Sequence, residues 1–437
     1  TNLHTHGFHV SPKGSDDPSE LQSDYVFIKT SPATPPVQYQ FDLPNHHAPG
    51  THWLHAHLHG STAPQVKEGM AGALILKGEV DDTLEEDYGI GDGKDRTMIL
   101  AQLVDSDGNK ACGKDKKQRT ITTSINGQCL PKITVDAGDI NRWRFIHAGI
   151  EETLNLALVG RDGIIRFNEF ARDGITLDGL HTQNNILLQP GYRSDVLVQF
   201  PPCDKEACEY TLTDLDTPSE KSLYGLAESM KPIATLVVKK SAQAAMTMPL
   251  ANTFKNPYPF ICDPETFYEC AAKLGIENVW FANLPNTDPE LAPFKAVNGY
   301  VFPDQPVEGY AEGPSEKSLI LGGKNTWKLW IGEAQGSDVS HPFHIHVNPI
   351  QVYDKDQQFS YWKDTLLVSA ADNRGRENAI TAVSRYERFD GEFVLHCHNL
   401  DHEDQGMMMK VTIHDSPKSA LQARQNRDKA SAGHHSH

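Results

Sequence analysis

No run of apolar residues in this 437-residue chain approaches the roughly 18 that a membrane-spanning helix needs, so a helical span is excluded from these residues. Positive charge is scarce. Forty Lys and Arg against 58 Asp and Glu leave a formal net charge of −18, which would repel a polyphosphate and excludes nucleic acid as a partner. Long helical stripes are nearly missing; residues 265–274 are the best short helix candidate. Hydrophobic residues still make up 38%, enough to build cores, which excludes wholesale disorder. At about 150 residues per domain, the length suggests about three domains.

Cysteine is sparse as well, with seven residues. Six fall into close pairs, Cys112/Cys129, Cys203/Cys208 and Cys262/Cys270, while Cys397 sits alone between two histidines. Three local disulfides and one specialised thiolate are the economical reading, with connectivity left open. Such pairing points to an oxidising compartment, secreted or periplasmic. The chain begins at Thr1 without an initiator Met, and is read as processed or cut at its N-terminus.

What is present in quantity is β-pattern and histidine. Residues 73–77, 133–135, 143–146, 194–200, 234–238, 327–330 and 391–395 are short apolar or alternating segments between Gly, Pro, Asn and Asp clusters. Many short strands at this spacing predict an all-β chain of sandwiches or barrels. Two charged or polar stretches, 79–94 and 239–250, read as linkers. From about Asp415 the strand pattern is lost, and the tail with His434, His435 and His437 reads as disordered.

Ten of the 21 histidines form four clusters: His4/His6, His55/His57, His341/His344/His346, and His396/His398 with His402 beyond. Side chains alternate along a strand, so two histidines separated by one residue share a face. A single such pair is weak evidence, but four are hard to explain as core or surface histidines, and the metal reading wins. In a strand Cys397 faces away from His396 and His398, so its thiolate belongs to a different metal. His341 stands an odd number of residues before His344 and His346 and also points away from them. A trigonal set of two imidazoles and a thiolate with a weak axial thioether is the blue-copper electron-transfer site. Its members here are His341, Cys397, His402 and Met407, with Met408 and Met409 as rival thioethers. Eight histidines remain: His4, His6, His55, His57, His344, His346, His396 and His398. They are too many for one metal and suit a cluster of two or three. A one-electron port thus adjoins a multi-electron store, and one plus three coppers can hold the four electrons that turn O2 into water.

The segments TNLHTHGFHVSP, GTHWLHAHLHGSTAPQ, HPFHIHVNPIQV and HCHNLDHEDQGMM together resemble multicopper oxidases of the three-domain, bacterial-type laccase class. Weaker likenesses lie in NGQCLPKITVDAGDINRWRFIHAG, LQPGYRSDVLVQF, VNGYVF and WKDT, so the resemblance reaches to about residue 414. It implies three consecutive cupredoxin-like Greek-key β-sandwich domains, the first N-terminally truncated because His4 is almost the first residue, with an exposed sheet edge and lower stability. The expected domains are 1–89, incomplete and supplying cluster ligands; 90–240, without copper ligands, a spacer and substrate-side wall; and 241–414, holding the type 1 copper and the remaining cluster ligands. Residues 415–437 form the tail.

The resemblance implies four coppers per chain, one type 1, one type 2 and two type 3. His4 and His344 would hold the type 2 ion. His6, His55 and His398 would hold one type 3 ion, and His57, His346 and His396 the other. Catalytic roles fall on Cys397, on His402 as the substrate-side edge, and on Glu403. The last matches an acid that supplies protons for O–O cleavage, with a solvated surface Glu as the alternative. Asp16 is a weaker candidate behind the ligands, with a turn role as its alternative. The implied function is one-electron oxidation of small phenolic or aromatic-amine donors coupled to reduction of O2 to water. Rivals are oxidation of Cu(I), Fe(II) or Mn(II), bilirubin-type oxidation, and a catalytically silent copper-binding envelope protein. Only eight Met in the chain, three of them at 407–409, weigh against metal-ion donors. Oligomeric state is left open.

Overall fold

The computed structural model describes residues 1–91, 93–104, 110–113, 122–161, 163–286, 291–332, 338–423 and 425. They form five sheets with few and short helices. All seven segments picked out by alternation overlap strands, and 265–274 contains the helix Phe267–Ala271. The three expected disulfides are present, and Cys397 is free and buried. No helix among the described residues is long and apolar enough to cross a membrane.

The first sheet has three antiparallel strands in the order His4–His6, Gly50–His55, Ala71–Leu76. A six-stranded and a seven-stranded sheet then enclose a common core. Trp143, Phe145, Val196 and Val198 enter it from one sheet, and Leu156, Leu158, Leu212 and Leu236 from the other. An eight-stranded and a five-stranded sheet enclose the next, with Val279, Phe281, Trp327 and Leu329 facing Phe343, Phe393, Leu395 and Val411. The fold is therefore all-β, and each core is built by residues at every second position of its strands.

Two expectations need correction. Residues 79–94 are no free linker: Glu79–Glu86 is a helix with Leu84 fully buried, and Asp81 accepts from Arg142 Nη1 (2.6 Å) and Arg144 Nη2 (2.7 Å). Arg142 and Arg144 alternate with core-facing Trp143 and Phe145, so they lie on the outer face of the sheet. There they need buried carboxylates, which an acidic helix supplies. In the tail, residues 417–423 are helical rather than irregular. His434, His435 and His437 lie outside the described residues.

Candidate metal centre

The site is built on two paired strands of the five-stranded sheet, His341–Ile345 and Gly391–Cys397, in the register Phe343↔Cys397 and His344↔His396. Phe393, Leu395 and Cys397 point into the sandwich core, as do Phe343 and Ile345. By alternation His344 and His396 point to the opposite face, toward the three-stranded sheet.

On the core side, Cys397 Sγ lies 3.4 Å from His341 Nδ1 and 3.8 Å from His402 Nδ1, and the two ring nitrogens are 3.2 Å apart. His402 comes from the short helix Leu400–Asp404, and its N–H donates to Asn399 O at 2.9 Å. Its ring is 4% exposed and meets the half-buried Tyr224 edge-on, at 6.4 Å between centroids. Met407 is fully buried in the same core, and its carbonyl accepts the Cys397 N–H at 3.0 Å. Met409 shares that core. Met408 turns away to pack with Val26 and Val394, so alternation removes one of the rival thioethers.

On the opposite face the eight remaining histidines meet, all of them at most 1% exposed. His4 Nε2 and His344 Nε2 are 3.4 Å apart, and His6 Nδ1 and His398 Nε2 3.2 Å. His396 Nε2 lies 3.1 Å from His57 Nε2 and 3.2 Å from His346 Nε2. The nitrogens on the far side of several rings are committed as donors. His4 Nδ1 donates to Asp24 (2.9 Å), His6 Nε2 to Asp364 Oδ1 (2.9 Å), His55 Nδ1 to Ala56 O (2.8 Å), His344 Nδ1 to Asp364 O (2.9 Å) and His396 Nδ1 to Cys397 O (3.1 Å). A neutral imidazole has one donor and one acceptor nitrogen, so the inward nitrogens of these five present lone pairs. His55 Nε2 is buried with no hydrogen-bond partner among the described residues. The lone pairs of His4 and His344 therefore face each other at 3.4 Å and repel, and a cation between them relieves that repulsion. The donor set fits a group of metal ions that favour imidazole, with copper, zinc, iron and nickel as the chemical class.

Burial sets the protonation needed for this. It pushes His55 and His341 down to about 3 and His344 down to about 4, and it holds His4, His6, His57, His346, His396, His398 and His402 well below the ordinary histidine value. All are thereby neutral and ready to bind. Burial also raises the Cys397 thiol, so a metal ion is what would draw off its proton.

Two family models, both described as multicopper oxidase, match residues 1–81 and 286–417, the segments that carry every one of these histidines and Cys397. The chain belongs to the multicopper oxidase family. Among relatives of this multicopper oxidase, the laccase of Bacillus subtilis is 23% identical, covering 96% of this chain and 80% of that one. The multicopper oxidase mco of Staphylococcus aureus is 22% identical, covering 94% and 76%. A solved structure of the McoA multicopper oxidase from Aquifex aeolicus has a TM-score of 0.69 at 21% identity, covering 94% of this chain and 84% of that one. The last likeness carries the cupredoxin-like fold.

Each ligand candidate of this multicopper oxidase lies in one of the two groups. His341, Cys397 and His402 have ligand atoms within 4.8 Å of one another, as do His57, His346 and His396. Glu403 is fully buried, not on the surface. Its Oε1 accepts from Thr62 Oγ1 (3.1 Å) and lies 3.5 Å from His57 Nδ1, and its Oε2 lies 3.6 Å from His396 Nδ1. Burial, then the neighbouring Asp404 charge, holds its pKa well above the usual carboxylate range. Asp404 itself accepts the N–H groups of Thr62 and Ala63, which docks this short helix on the first segment.

Asp16 is exposed and accepts from Tyr25 Oη rather than from a histidine of the cluster. The sequence holds a second Ser-Asp pair, Ser23-Asp24, and Asp24 is the buried carboxylate that orients His4. It also accepts from Thr5 N and Oγ1, and burial, offset by those bonds, raises its pKa to about 7. Asp364, from the WKDT motif, was missed likewise. Spacing alone gives no reason to single out either carboxylate, because each reaches its histidine across the fold.

Proposed function

We propose that the chain is a laccase-like multicopper oxidase that couples one-electron oxidation of phenolic or aromatic-amine donors to four-electron reduction of O2 to water. The type 1 set is His341, Cys397, His402 and Met407, and the type 2 pair is His4 and His344. His6, His55 and His398 form one type 3 set and His57, His346 and His396 the other, with four coppers per chain. Copper bound in these sets supplies reversible one-electron transfer at the first and multi-electron O2 chemistry at the others.

The observation that carries the reading is that one thiol and its two flanking imidazoles project from opposite faces of one strand. Cys397 is bonded through the backbone to His396 and His398, so the path between the two groups is a few covalent bonds. The apolar core around Cys397 excludes water and competing ligands. His402 lies nearest the exterior of its set, behind Tyr224, which makes it the side from which an electron enters. Glu403 holds a proton at its carboxyl beside His57 and His396 and is placed to release it toward that face, while Thr62 fixes its orientation. Asp24 and the Asp364 carboxylate and carbonyl hold His4, His6 and His344 in the required tautomers.

The proposed units are 1–89, 90–240 and 241–414, with ligands drawn from the first and third. A secreted or periplasmic location is supported by the three disulfides. The relative named laccase supports the donor class. Metal analysis with visible and spin-resonance spectra, together with O2 uptake on a phenol, tests the reading. Four coppers sorted into one type 1, one type 2 and a coupled pair, with turnover, are expected. A single copper type, or no O2 uptake with any phenol or metal donor, would overturn it.

A further inference from the structure

The motif LQPGYRSDVLVQF lies far in sequence from every histidine cluster, yet three consecutive residues of it reach the histidine cluster or the third-segment strand that borders it. Gly191 lies against His398: a Cβ there would sit 3.0 Å from the ring, so only glycine permits the approach. The Tyr192 hydroxyl accepts the Leu367 N–H at 2.6 Å, on the strand Thr365–Val368 that pairs with His341–Ile345. Arg193, fully buried, grips Asp364 with both terminal nitrogens, Nη1 on Oδ1 at 2.9 Å and Nη2 on Oδ2. The same Oδ1 accepts from His6 Nε2, and the Asp364 carbonyl accepts from His344 Nδ1.

The guanidinium is itself held in place. It donates to the carbonyls of Gly191, Asp173 and Thr51, and its backbone N–H donates to Asp173 Oδ1. Asp173 in turn accepts Lys363 Nζ at 3.1 Å and the N–H groups of Asp364 and Thr365 at 3.3 Å each. Across from it, a Cβ on Gly7 would collide with Arg193 Nη2 and come within 2.7 Å of Asp364 Oδ2, so the first segment closes over the pair as well.

We propose that Arg193, on the ligand-free middle segment, is a positioning residue for the histidine cluster: by clamping Asp364 it aligns His6 and His344 at once. The middle segment is therefore more than a spacer. The fixed planar fork matters here, because a point charge could neutralise Asp364 without fixing the direction of the oxygen that His6 uses. The proposal rests on the copper assignment above and concerns the type 2 pair and the type 3 set that contains His6.

The test compares wild type, Arg193→Lys and Arg193→Met in the full chain, reading copper per chain, the type 2 spin-resonance signal, the type 1 absorption and the melting of copper-free protein. A wild type without a type 2 signal would overturn the copper reading and this proposal together. With that signal present in wild type, both variants are expected to keep the type 1 absorption. Their affinity for type 2 copper should fall by about 10–100-fold, with a changed type 2 signal. If Arg193→Met fails to fold, Arg193→Lys decides, since it keeps the charge and loses the fork. Wild-type type 2 affinity and signal in Arg193→Lys would overturn the proposal. So would equal loss of type 1 and type 2 copper accompanied by a lower melting point, which marks an ion pair that serves the fold alone.

Discussion

The two faces of the strand Gly391–Cys397 carry opposite solutions to the same problem of burying metal-ligating side chains. On the core face one sulfur and two imidazoles stand among Phe281, Phe343, Leu395 and Met407, and among the described residues no carboxylate hydrogen-bonds His341 or His402. On the other face eight imidazoles meet with Asp24, Asp364 and Glu403 directly behind them. An apolar surround suits a site that changes charge by one electron with little rearrangement. A cluster that must take up several electrons and protons needs oriented rings and a proton donor. The single peptide alternation that separates the faces also joins them.

Substitutions should silence one face while sparing the other. Cys397→Ser has the largest expected effect: loss of the blue absorption and of oxidation of every donor, with the fold retained by circular dichroism. Turnover by that variant would contradict the assignment. His6→Ala should leave the blue absorption and stop O2 uptake, and an unchanged uptake rate would remove His6 from the cluster. Glu403→Gln should slow O2 reduction by about 10²–10⁴-fold while type 1 reduction by a donor stays near normal in stopped flow. Equal slowing of both would return Glu403 to a packing role.

Acid should act on the copper-free protein through the same buried rings. Burial pushes His55 and His341 down to about 3 and His9, His147 and His344 down to about 4, against roughly 6.5 when unfolded. The unfolded chain then binds more protons between about pH 6.5 and 4, so stability is lost as pH falls through that range. Asp24, Asp214 and Glu228, raised by burial to about 7, oppose this: they bind protons in the folded state and gain stability as pH falls. The histidines outnumber them, so net unfolding on acidification is expected by circular dichroism. A melting temperature independent of pH from 7 to 4 would count against neutral buried rings. The smallest effect belongs to Met407→Leu, which should raise the type 1 reduction potential and keep the colour. Met408→Leu, on the other side of the strand, should change neither.

The middle segment shows where sequence reading ran short. Its lack of histidine clusters suggests a spacer and substrate-side wall, yet Gly191 and Arg193 press on His398 and Asp364. Nothing in LQPGYR announces that contact, because hydrogen bonds across 171 residues leave no periodic trace. Residues 79–94 misled for a related reason: an acidic, glycine-punctuated stretch looks solvated until the buried Arg142 and Arg144 it neutralises are seen. Asp16 and Asp24 show the same on a smaller scale, since two Ser-Asp pairs eight residues apart are equivalent in sequence until one is buried beside His4.

Strand spacing, the closeness in sequence of six of the seven cysteines, and the division of Cys397 and His341 from the other histidines are consequences of covalent connectivity and a period of two, and the chain alone determined them. Which carboxylates stand behind which rings, that Glu403 is buried, and that a segment without ligands braces the cluster were decided only by tertiary packing. Those contacts join residues from 20 positions apart, as in His4 and Asp24, to 358 apart, as in His6 and Asp364, and their strength comes from the exclusion of water, which no local pattern encodes.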